Sequence, residues 1–281
     1  MYVLNLNVKF NFVMKTFTYL LLALGCVFTH AQKKDTIIET KFIKSLTLKA
    51  DRFIGVDDFK NIYYIKNNTL HKKTNNRIFT YTNTQLGEIT SVDIKNPLKI
   101  ILFYKNFNTV LIVDNNLNEL TTPINFNNTS FSKNAFLVNS SSNNNLWIYS
   151  LDDDTLQLYN YQNHKIQFTT QVLSSYQADF KIKNLLSTYK KCWLIGKNNI
   201  LHFNEYGTFI ENIKLTGFSD ATFFKNTLIY LKDNNLYLYY DEVSLPILLK
   251  DKISIQSFYV NKNDMYIFDG TTIHRYRIVK K

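Results

Sequence analysis

The sequence predicts an all-β fold built from repeated antiparallel units, and two features of its composition favour this. Aromatic residues make up 15% and hydrophobic residues 45% of the 281 residues, enough to bury one large core on pleated surfaces. Glycine is scarce, with 7 residues. Asparagine takes over turn positions because it tolerates left-handed backbone and bonds its own main chain. Asparagine runs at 143–145, 198–199 and 234–235 lie between apolar stretches, where short strands need turns.

A β-hairpin recurs six times along the chain. In each copy a short apolar strand is followed by a polar turn and an alternating second strand, as in residues 62–65 and 70–73. The second strands begin at Leu70, Val110, Leu156, Ile200, Leu236 and Ile273. Their spacing of about 40 residues is the length of one four-stranded propeller blade. Helical repeats are disfavoured because apolar residues rarely recur at helical spacing.

The outer strands indicate how the repeats close. A strand-like stretch precedes each hairpin, and an outer strand follows each of the first five, as at residues 119–124. The sixth unit lacks its outer strand, whereas an unmatched strand at residues 41–48 precedes the first unit. A spare first strand that completes the last unit removes the open edges of a sheet. The sequence therefore predicts a six-bladed β-propeller of four-stranded blades, closed by its N-terminal strand.

The first 31 residues have the pattern of an export signal peptide. After a basic start at Met14-Lys15, residues 17–27 form an apolar run that is too short to span a membrane, and Ala31 precedes the expected cleavage point. Residues 1–13 have no role in this pattern and are interpreted as an extension ahead of the true start. Cleavage leaves residues 32–281 as a single propeller domain, expected in the periplasm or at the outer membrane.

A second processing route stays open. Residues 23–26 resemble a lipobox, in which Cys26 would carry a lipid. In this alternative interpretation the product is a lipoprotein or a secreted protein. If cleavage follows Ala31, Cys192 is the remaining cysteine and no internal disulfide forms. Cys192 lies in an apolar strand and is interpreted as a buried thiol. No later apolar run is long enough for a transmembrane segment, so a lipid is the one membrane anchor expected.

The net charge of +11 bears on the class of partner. A basic chain can bind nucleic acid or an anionic surface. Here the lysines are scattered along the chain, which is typical of solvated strand faces. Together with export, this pattern predicts that nucleic acid is not a partner.

Three aspartates are the candidate site residues. Asp57, Asp93 and Asp220 each lie near an innermost strand and are candidates for the mouth of the central channel; the alternative is that they cap turns by accepting backbone N–H groups. No catalytic, phosphate-binding or dinucleotide-binding motif occurs. The histidines are too far apart in sequence to indicate a metal site: His71, His164, His202 and His274. We expect no catalytic residue, no metal and no cofactor.

The segment Asp57-Asp58-Phe59-Lys60-Asn61-Ile62-Tyr63 resembles the Asp-x-x-Gly-Asn-Ile-Tyr blade signature of NHL and related six-bladed propellers, with Lys60 at the glycine position. The repeats lack the signatures of WD40, kelch and sialidase blades. With its signal and its Lys/Asn-rich composition, the chain looks like the exported envelope propellers of Bacteroidota. This resemblance implies fold and compartment and implies no activity.

These observations predict a non-enzymatic interaction or scaffold module of the cell envelope, with another envelope protein as its partner. An accessory role beside outer-membrane secretion, gliding or uptake machinery is one specific form of this hypothesis. The alternative is a glycan-binding or glycan-cleaving propeller. Cleavage would need two carboxylates roughly 5–9.5 Å apart at the channel mouth.

Overall fold

A computed structural model describes residues 37–224 and 227–279, in which nearly all regular structure is β. The predicted signal peptide, with Cys26, lies outside the described residues. The described strands run from β1 (Ile38–Thr47) to β24 (Thr272–Ile278), and three single-turn 3-10 helices occur at Lys105–Phe107, Phe126–Asn128 and Leu173–Ser175. The prediction of an all-β fold is confirmed.

Four sheets contain four strands each, and in every one the strands pair in chain order. The first sheet consists of β2 (Arg52–Val56), β3 (Ile62–Lys66), β4 (Thr69–Lys73) and β5 (Ile78–Tyr81). The second consists of β6 (Ser91–Asp93), β7 (Ile100–Tyr104), β8 (Thr109–Val113) and β9 (Ile124–Asn125). The third consists of β10 (Ala135–Ser140), β11 (Asn145–Ser150), β12 (Thr155–Asn160) and β13 (Lys165–Thr169). The fourth consists of β14 (Ile182–Ser187), β15 (Lys191–Gly196), β16 (Asn199–Asn204) and β17 (Phe209–Lys214).

The other strands form one eight-stranded sheet with β1 in its interior. One half, the fifth group, is β18 (Asp220–Phe224), β19 (Thr227–Lys232), β20 (Asn235–Tyr240) and β21 (Val243–Leu248). The other half, the sixth group, is β22 (Ser257–Asn261), β23 (Asp264–Phe268), β24 and β1. β1 pairs antiparallel with β24 from Thr40 to Thr47, which is the pairing predicted for the spare N-terminal strand. Its first residues, Ile38 and Glu39, also pair in parallel with β21 and so join the two halves.

The outer edge of the second sheet differs from the prediction. A strand was expected over residues 119–124, but β9 covers only Ile124–Asn125, and Glu119 forms an isolated bridge to Val113. Pro123 stands immediately before β9 and has no N–H to donate to a ladder. The bridge of Val113 to Glu119 and the pairing of Val110 with Ile124 are out of register with each other, so the ladder is interrupted between them, beside this proline.

The core lies between successive sheets rather than inside any one of them. Tyr63 and Leu70 of the first sheet pack against Leu102 of the second, and all these side chains are buried. At the other side of the first sheet, Phe53 packs on Phe268 of the sixth group, with ring centroids 5.9 Å apart. The middle strands are thus buried on both faces, which explains their continuous apolar runs.

Three turn asparagines fasten the linkers between sheets. Asn68, Asn108 and Asn234 have left-handed backbone, with φ of 53°, 48° and 59°. Each side-chain amide donates to a carbonyl of the linker ahead and each side-chain oxygen accepts an N–H two residues further on. The carbonyls belong to Gly87, Lys133 and Ile253, and the N–H groups to Ile89, Ala135 and Ile255. We call these three residues the clasp asparagines.

Candidate functional site

The first strand of each group lies innermost, and neighbouring inner strands contact each other at corresponding ends. The N–H of Ser140, at the end of β10, donates to Asp93 Oδ2 at the end of β6 (2.8 Å). The hydroxyl of Ser187, at the end of β14, donates to the Ser140 carbonyl (2.8 Å). Asn261, at the end of β22, donates to the carbonyl of Val56, at the end of β2 (3.0 Å). These contacts define one end of the centre, the mouth face, where inner strands finish and turn outward.

Asp57 lies at the mouth face and caps its own turn. Its Oδ1 accepts the N–H groups of Phe59 and Asn61 (2.9 and 2.8 Å). Its Oδ2 accepts the Asn61 amide and the buried Tyr63 hydroxyl (2.9 and 3.1 Å). The carboxylate is buried, and both of its oxygens are occupied by residues of its own hairpin. The segment that resembles the NHL signature is therefore a structural turn.

Asp93 also lies at the mouth face, where it links three sheets. Its carboxylate forms an ion pair with Lys95 (2.9 Å), and the Lys95 amine also donates to the Ser187 hydroxyl (2.6 Å). Burial by itself raises the pKa of Asp93, but the charge of Lys95 and the hydrogen bonds from Lys95 and Ser140 hold it below its ordinary value. Asp93 is therefore an ionised structural group rather than a free acid.

Asp220 lies elsewhere. It is the first residue of β18, whereas Asp93 is the last residue of β6 and Asp57 follows the last residue of β2. Because inner strands meet at corresponding ends, Asp220 belongs to the end opposite the mouth face. Burial raises the pKa of Asp220, and the one hydrogen bond that its carboxylate accepts from the described residues is from the Ala221 N–H (2.8 Å). The structure thus brings Asp57 and Asp93 to one end and leaves Asp220 at the other.

The mouth face carries exposed apolar side chains on the turns that follow its inner strands. Phe59, Leu98 and Tyr189 are 76%, 62% and 51% exposed, and they belong to the first, second and fourth sheets. Each is followed by an exposed lysine, at Lys60, Lys99 and Lys190.

The turns lie close enough to interact electrostatically. Burial raises the pKa of Tyr189, and the carboxylates of Asp93 and Asp58 raise it further. Asp58 is the one exposed acidic residue in the described part of these turns, and its carboxylate pairs with Lys262 of the sixth group (3.3 Å). The resulting surface is apolar and basic.

A second feature is a groove of about 830 Å³ between the fourth sheet and the fifth group. Trp193, His202 and Glu211 are paired in register on three adjacent strands, so their side chains form a row across one sheet face. Phe223 of the fifth group stacks on Trp193 with ring centroids 3.7 Å apart, and His202 stacks on Trp193 at 5.0 Å. The floor of the groove is therefore aromatic.

His202 is the notable polar group of the groove. Its side chain is 8% exposed, and its Nδ1 lies 3.0 Å from Glu211 Oε1. Its Nε2 is buried and has no hydrogen-bond partner among the described residues. Burial lowers the pKa of His202, and the charge of Lys191 lowers it further against the opposing effect of Glu211. A neutral ring that donates from Nδ1 to Glu211 leaves Nε2 as a lone-pair acceptor.

The opposite wall of the groove is supplied by the end of β20 and its turn: Tyr239, Tyr240, Asp241 and Glu242. Burial raises the pKa of Tyr239, and the carboxylates of Glu242 and Glu211 raise it further, so this ring lies within electrostatic reach of both acids. Asp241 and Glu242 both have positive φ, 50° and 60°, a strained pair for residues without glycine's freedom. This turn holds two carboxylates at the rim.

Sequence reasoning missed this groove. It treated His202 only as a distant partner of other histidines, and the relevant neighbour, Glu211, lies on the next strand of the same sheet. The hairpin register of β15, β16 and β17 would have placed Trp193, His202 and Glu211 in one row, because directly opposite residues share a face. Cys192 is fully buried, and burial raises its pKa, in agreement with an inert thiol.

No group of three or more His, Cys, Asp or Glu side chains within residues 37–224 and 227–279 is placed to hold a metal ion. In the same residues, no helix combines the length and the apolar character needed to cross a bilayer.

Comparison with known proteins places the fold. No protein-family model matches the chain, and no curated protein sequence matches it. Among solved structures, virginiamycin B lyase from Staphylococcus aureus is similar with a TM-score of 0.57 and 9% identity, over 85% of this chain and 100% of that one. The WD40 domain of Pan2 from Neurospora crassa gives 0.55 and 10%, over 83% and 76%. BBS1N, solved in complex with ARL6DN, gives 0.54 and 9%, over 82% and 78%. The chain therefore has a β-propeller fold, and identities this low carry no further meaning.

Proposed function

We propose that this chain is a non-enzymatic interaction module of the cell envelope that binds an acidic protein partner through its mouth face. The observation that carries the proposal is the set of exposed apolar residues Phe59, Leu98 and Tyr189, each followed by a lysine, around one end of the ring. Aromatic anchors surrounded by charge are typical of protein interfaces. The basic rim favours an acidic partner by electrostatic complementarity.

The proposal includes a count of six blades. The eight-stranded sheet divides into two four-stranded halves at the short parallel bridge of Ile38 and Glu39 to β21. Counted with the four separate sheets, these halves give six blades, of which the last is completed by β1. Like the resemblance to NHL-type and Bacteroidota envelope propellers, this count is part of the proposal.

The solved structures that resemble this chain permit both kinds of function. BBS1N was solved in complex with another protein, whereas virginiamycin B lyase is an enzyme. The chemistry at the mouth face supports the first kind. Both carboxylates of this end, Asp57 and Asp93, are engaged by residues of this chain, and the third candidate, Asp220, lies at the other end. The carboxylate pair that a glycan-cleaving propeller needs has no support among these residues.

The test is capture of partners from envelope extracts with matched variants. Phe59→Ser combined with Leu98→Ser removes two exposed anchors and should abolish capture of the specific partner without unfolding the ring. Leu151→Ser is the matched control because Leu151 is 53% exposed on a turn of the opposite end. A partner retained equally by both variants, or no partner for the wild type, would refute the proposal. Acidic stretches should predominate in the captured protein, and capture should weaken with added salt.

The proposed compartment has its own test. The mass of the mature protein should correspond to cleavage after Ala31, with Gln32 as the first residue. A lipid-modified Cys26 as first residue would instead establish the lipoprotein route, and retention of residues 1–31 would refute export.

A further inference from the structure

The groove between the fourth sheet and the fifth group contains a buried polar atom to which no described residue donates a hydrogen bond. Nε2 of His202 is buried without a hydrogen-bond partner among the described residues, and a buried acceptor left unpaired destabilises the folded state. The His202 ring is held by Trp193 on one side and by Glu211 through Nδ1, so its orientation is fixed. A fixed, neutral imidazole with a free lone pair is suited to accept an N–H from a bound molecule.

The charges and aromatic rings of the groove identify the kind of molecule. Glu211, Asp241 and Glu242 line it, against two lysines, Lys191 and Lys214. The carboxylates of Glu211 and Glu242 both raise the pKa of Tyr239, so both lie within electrostatic reach of this side chain. Carboxylates combined with an aromatic face favour an organic cation, because the cation interacts with the charges and the π-system together. A neutral His202 does not repel such a cation.

We infer that this groove is a binding site for a small organic amine, with its ammonium group near Glu211 and Glu242 and its apolar body on the aromatic floor. The ammonium donates one N–H to Nε2 of His202 and others to the carboxylates. Phe223, which is half-buried, receives the apolar part, and the buried Trp193 stacks against Phe223. Because Nε2 is shielded from water by the lining, the ligand enters by displacing a flexible side chain, and Lys191, whose amine lies 6.0 Å from the Trp193 ring centre, is that side chain.

The probe is 2-phenylethylamine, compared with 2-phenylethanol, which has a hydroxyl in place of the ammonium. Binding is followed by two-dimensional NMR through the indole N–H of Trp193, with Trp147 as the internal reference because it is fully buried away from the groove. The amine should shift the Trp193 signal and leave that of Trp147 in place. The alcohol should bind about tenfold more weakly. Equal binding of the two compounds, or no shift at Trp193, would overturn the inference.

Three variants separate charge recognition from general hydrophobic binding. Glu211→Gln keeps an acceptor for His202 Nδ1 but removes a charge, and it should weaken amine binding roughly fivefold. Lys191→Met removes the opposing cation and should strengthen binding roughly threefold. Glu205→Gln, on the same sheet but away from the groove lining, is the matched control and should leave the affinity unchanged. The same effect from Glu211→Gln and Glu205→Gln would refute a specific site.

The inference is independent of the proposed function. The mouth-face variant Phe59→Ser/Leu98→Ser should bind the amine as the wild type does, because neither residue lines the groove. Loss of partner capture with amine binding intact would separate the two sites. Loss of both in this variant would show that it has unfolded, which the dispersion of its NMR spectrum reports directly.

Discussion

The clasp asparagine of the second sheet is expected to be one of the largest single-residue contributions to stability outside the apolar core. Asn108 is buried, and its side chain makes three hydrogen bonds: its amide donates to the Lys133 carbonyl and to Asn127 Oδ1 (2.8 and 2.6 Å), and its oxygen accepts the N–H of Ala135 (2.9 Å). Asn108→Gly keeps the left-handed backbone available and removes all three bonds. At about 1 kcal/mol net for each bond, the free energy of unfolding should fall by about 3 kcal/mol.

The assay is equilibrium unfolding in urea, with three comparisons that isolate the cause. Asn108→Ala should cost about 1 kcal/mol more than Asn108→Gly, because alanine resists the φ of 48°. Asn234→Gly removes equivalent bonds at an exposed turn and should cost less. Asn67→Gly is the control, since Asn67 has φ of 49° and no side-chain bond among the described residues. A loss below 1 kcal/mol for Asn108→Gly, or one equal to that of Asn67→Gly, would refute the clasp interpretation.

Two further predictions concern the inner strands. Gly55 has φ of 155°, and a Cβ there would lie 2.7 Å from the Tyr259 ring of the sixth group, so Gly55→Ala should lower the free energy of unfolding by about 1–3 kcal/mol. The same substitution should cost less in a Tyr259→Ser background than in the wild type, and an equal cost in both would show that the clash is not the cause. Lys95→Met leaves Asp93 charged and buried, and should cost about 3 kcal/mol at pH 7 in urea unfolding.

The Asp93 ion pair also predicts a pH dependence. The pKa of Asp93 is lower in the folded protein than in the unfolded chain, so its contribution to stability is present above the ordinary aspartate pKa, and is lost as pH falls through the folded value. The wild type should therefore lose stability below about pH 4 more steeply than Asp93→Asn. Parallel curves for the two proteins would exclude this role.

The hairpins were the most predictable part of the fold. The predicted strands at residues 62–65 and 70–73 correspond to β3 and β4, and the spare strand at 41–48 corresponds to β1 at Ile38–Thr47. The hairpins are local, so an apolar strand, a polar turn and a second strand identify them, and the spare strand is identified by the outer strand that the sixth unit lacks. The short parallel bridge from Ile38 to β21 depends on how two outer strands meet in space, and periodicity contains no information about that contact.

The site was less predictable for a related reason. Turn capping, the alternative considered for the three aspartates, describes both Asp57 and Asp93, because Asp93 Oδ1 accepts the Lys95 N–H (3.0 Å). Asp93 also accepts the Ser140 N–H from the third sheet, a contact that turn capping does not predict. Of the clasp asparagines, Asn234 lies in a run that the sequence analysis assigned to a turn, but the bonds of all three reach linkers 19 to 27 residues ahead. The groove forms only when strands of the fourth sheet and the fifth group lie side by side and when Trp193, His202 and Glu211 are aligned across one sheet face. Each of these features depends on contacts between residues far apart in the sequence, and local sequence patterns do not reveal such contacts.

Because β1 completes the sixth group, the two ends of the described chain meet. The N–H of Val279 donates to the carbonyl of Glu39 at 2.9 Å, and β1 and β24 run antiparallel between Thr40 and Ile278. Strand order around the ring is therefore cyclic, and the position at which the polypeptide is cut is arbitrary for the architecture. A circular permutant that joins residue 279 to residue 37 and opens the exposed turn at Glu205–Tyr206 should keep every strand pairing. In such a permutant β1 would lie in the interior of the chain. Covering the last sheet edge would then not require the two chain termini to come together.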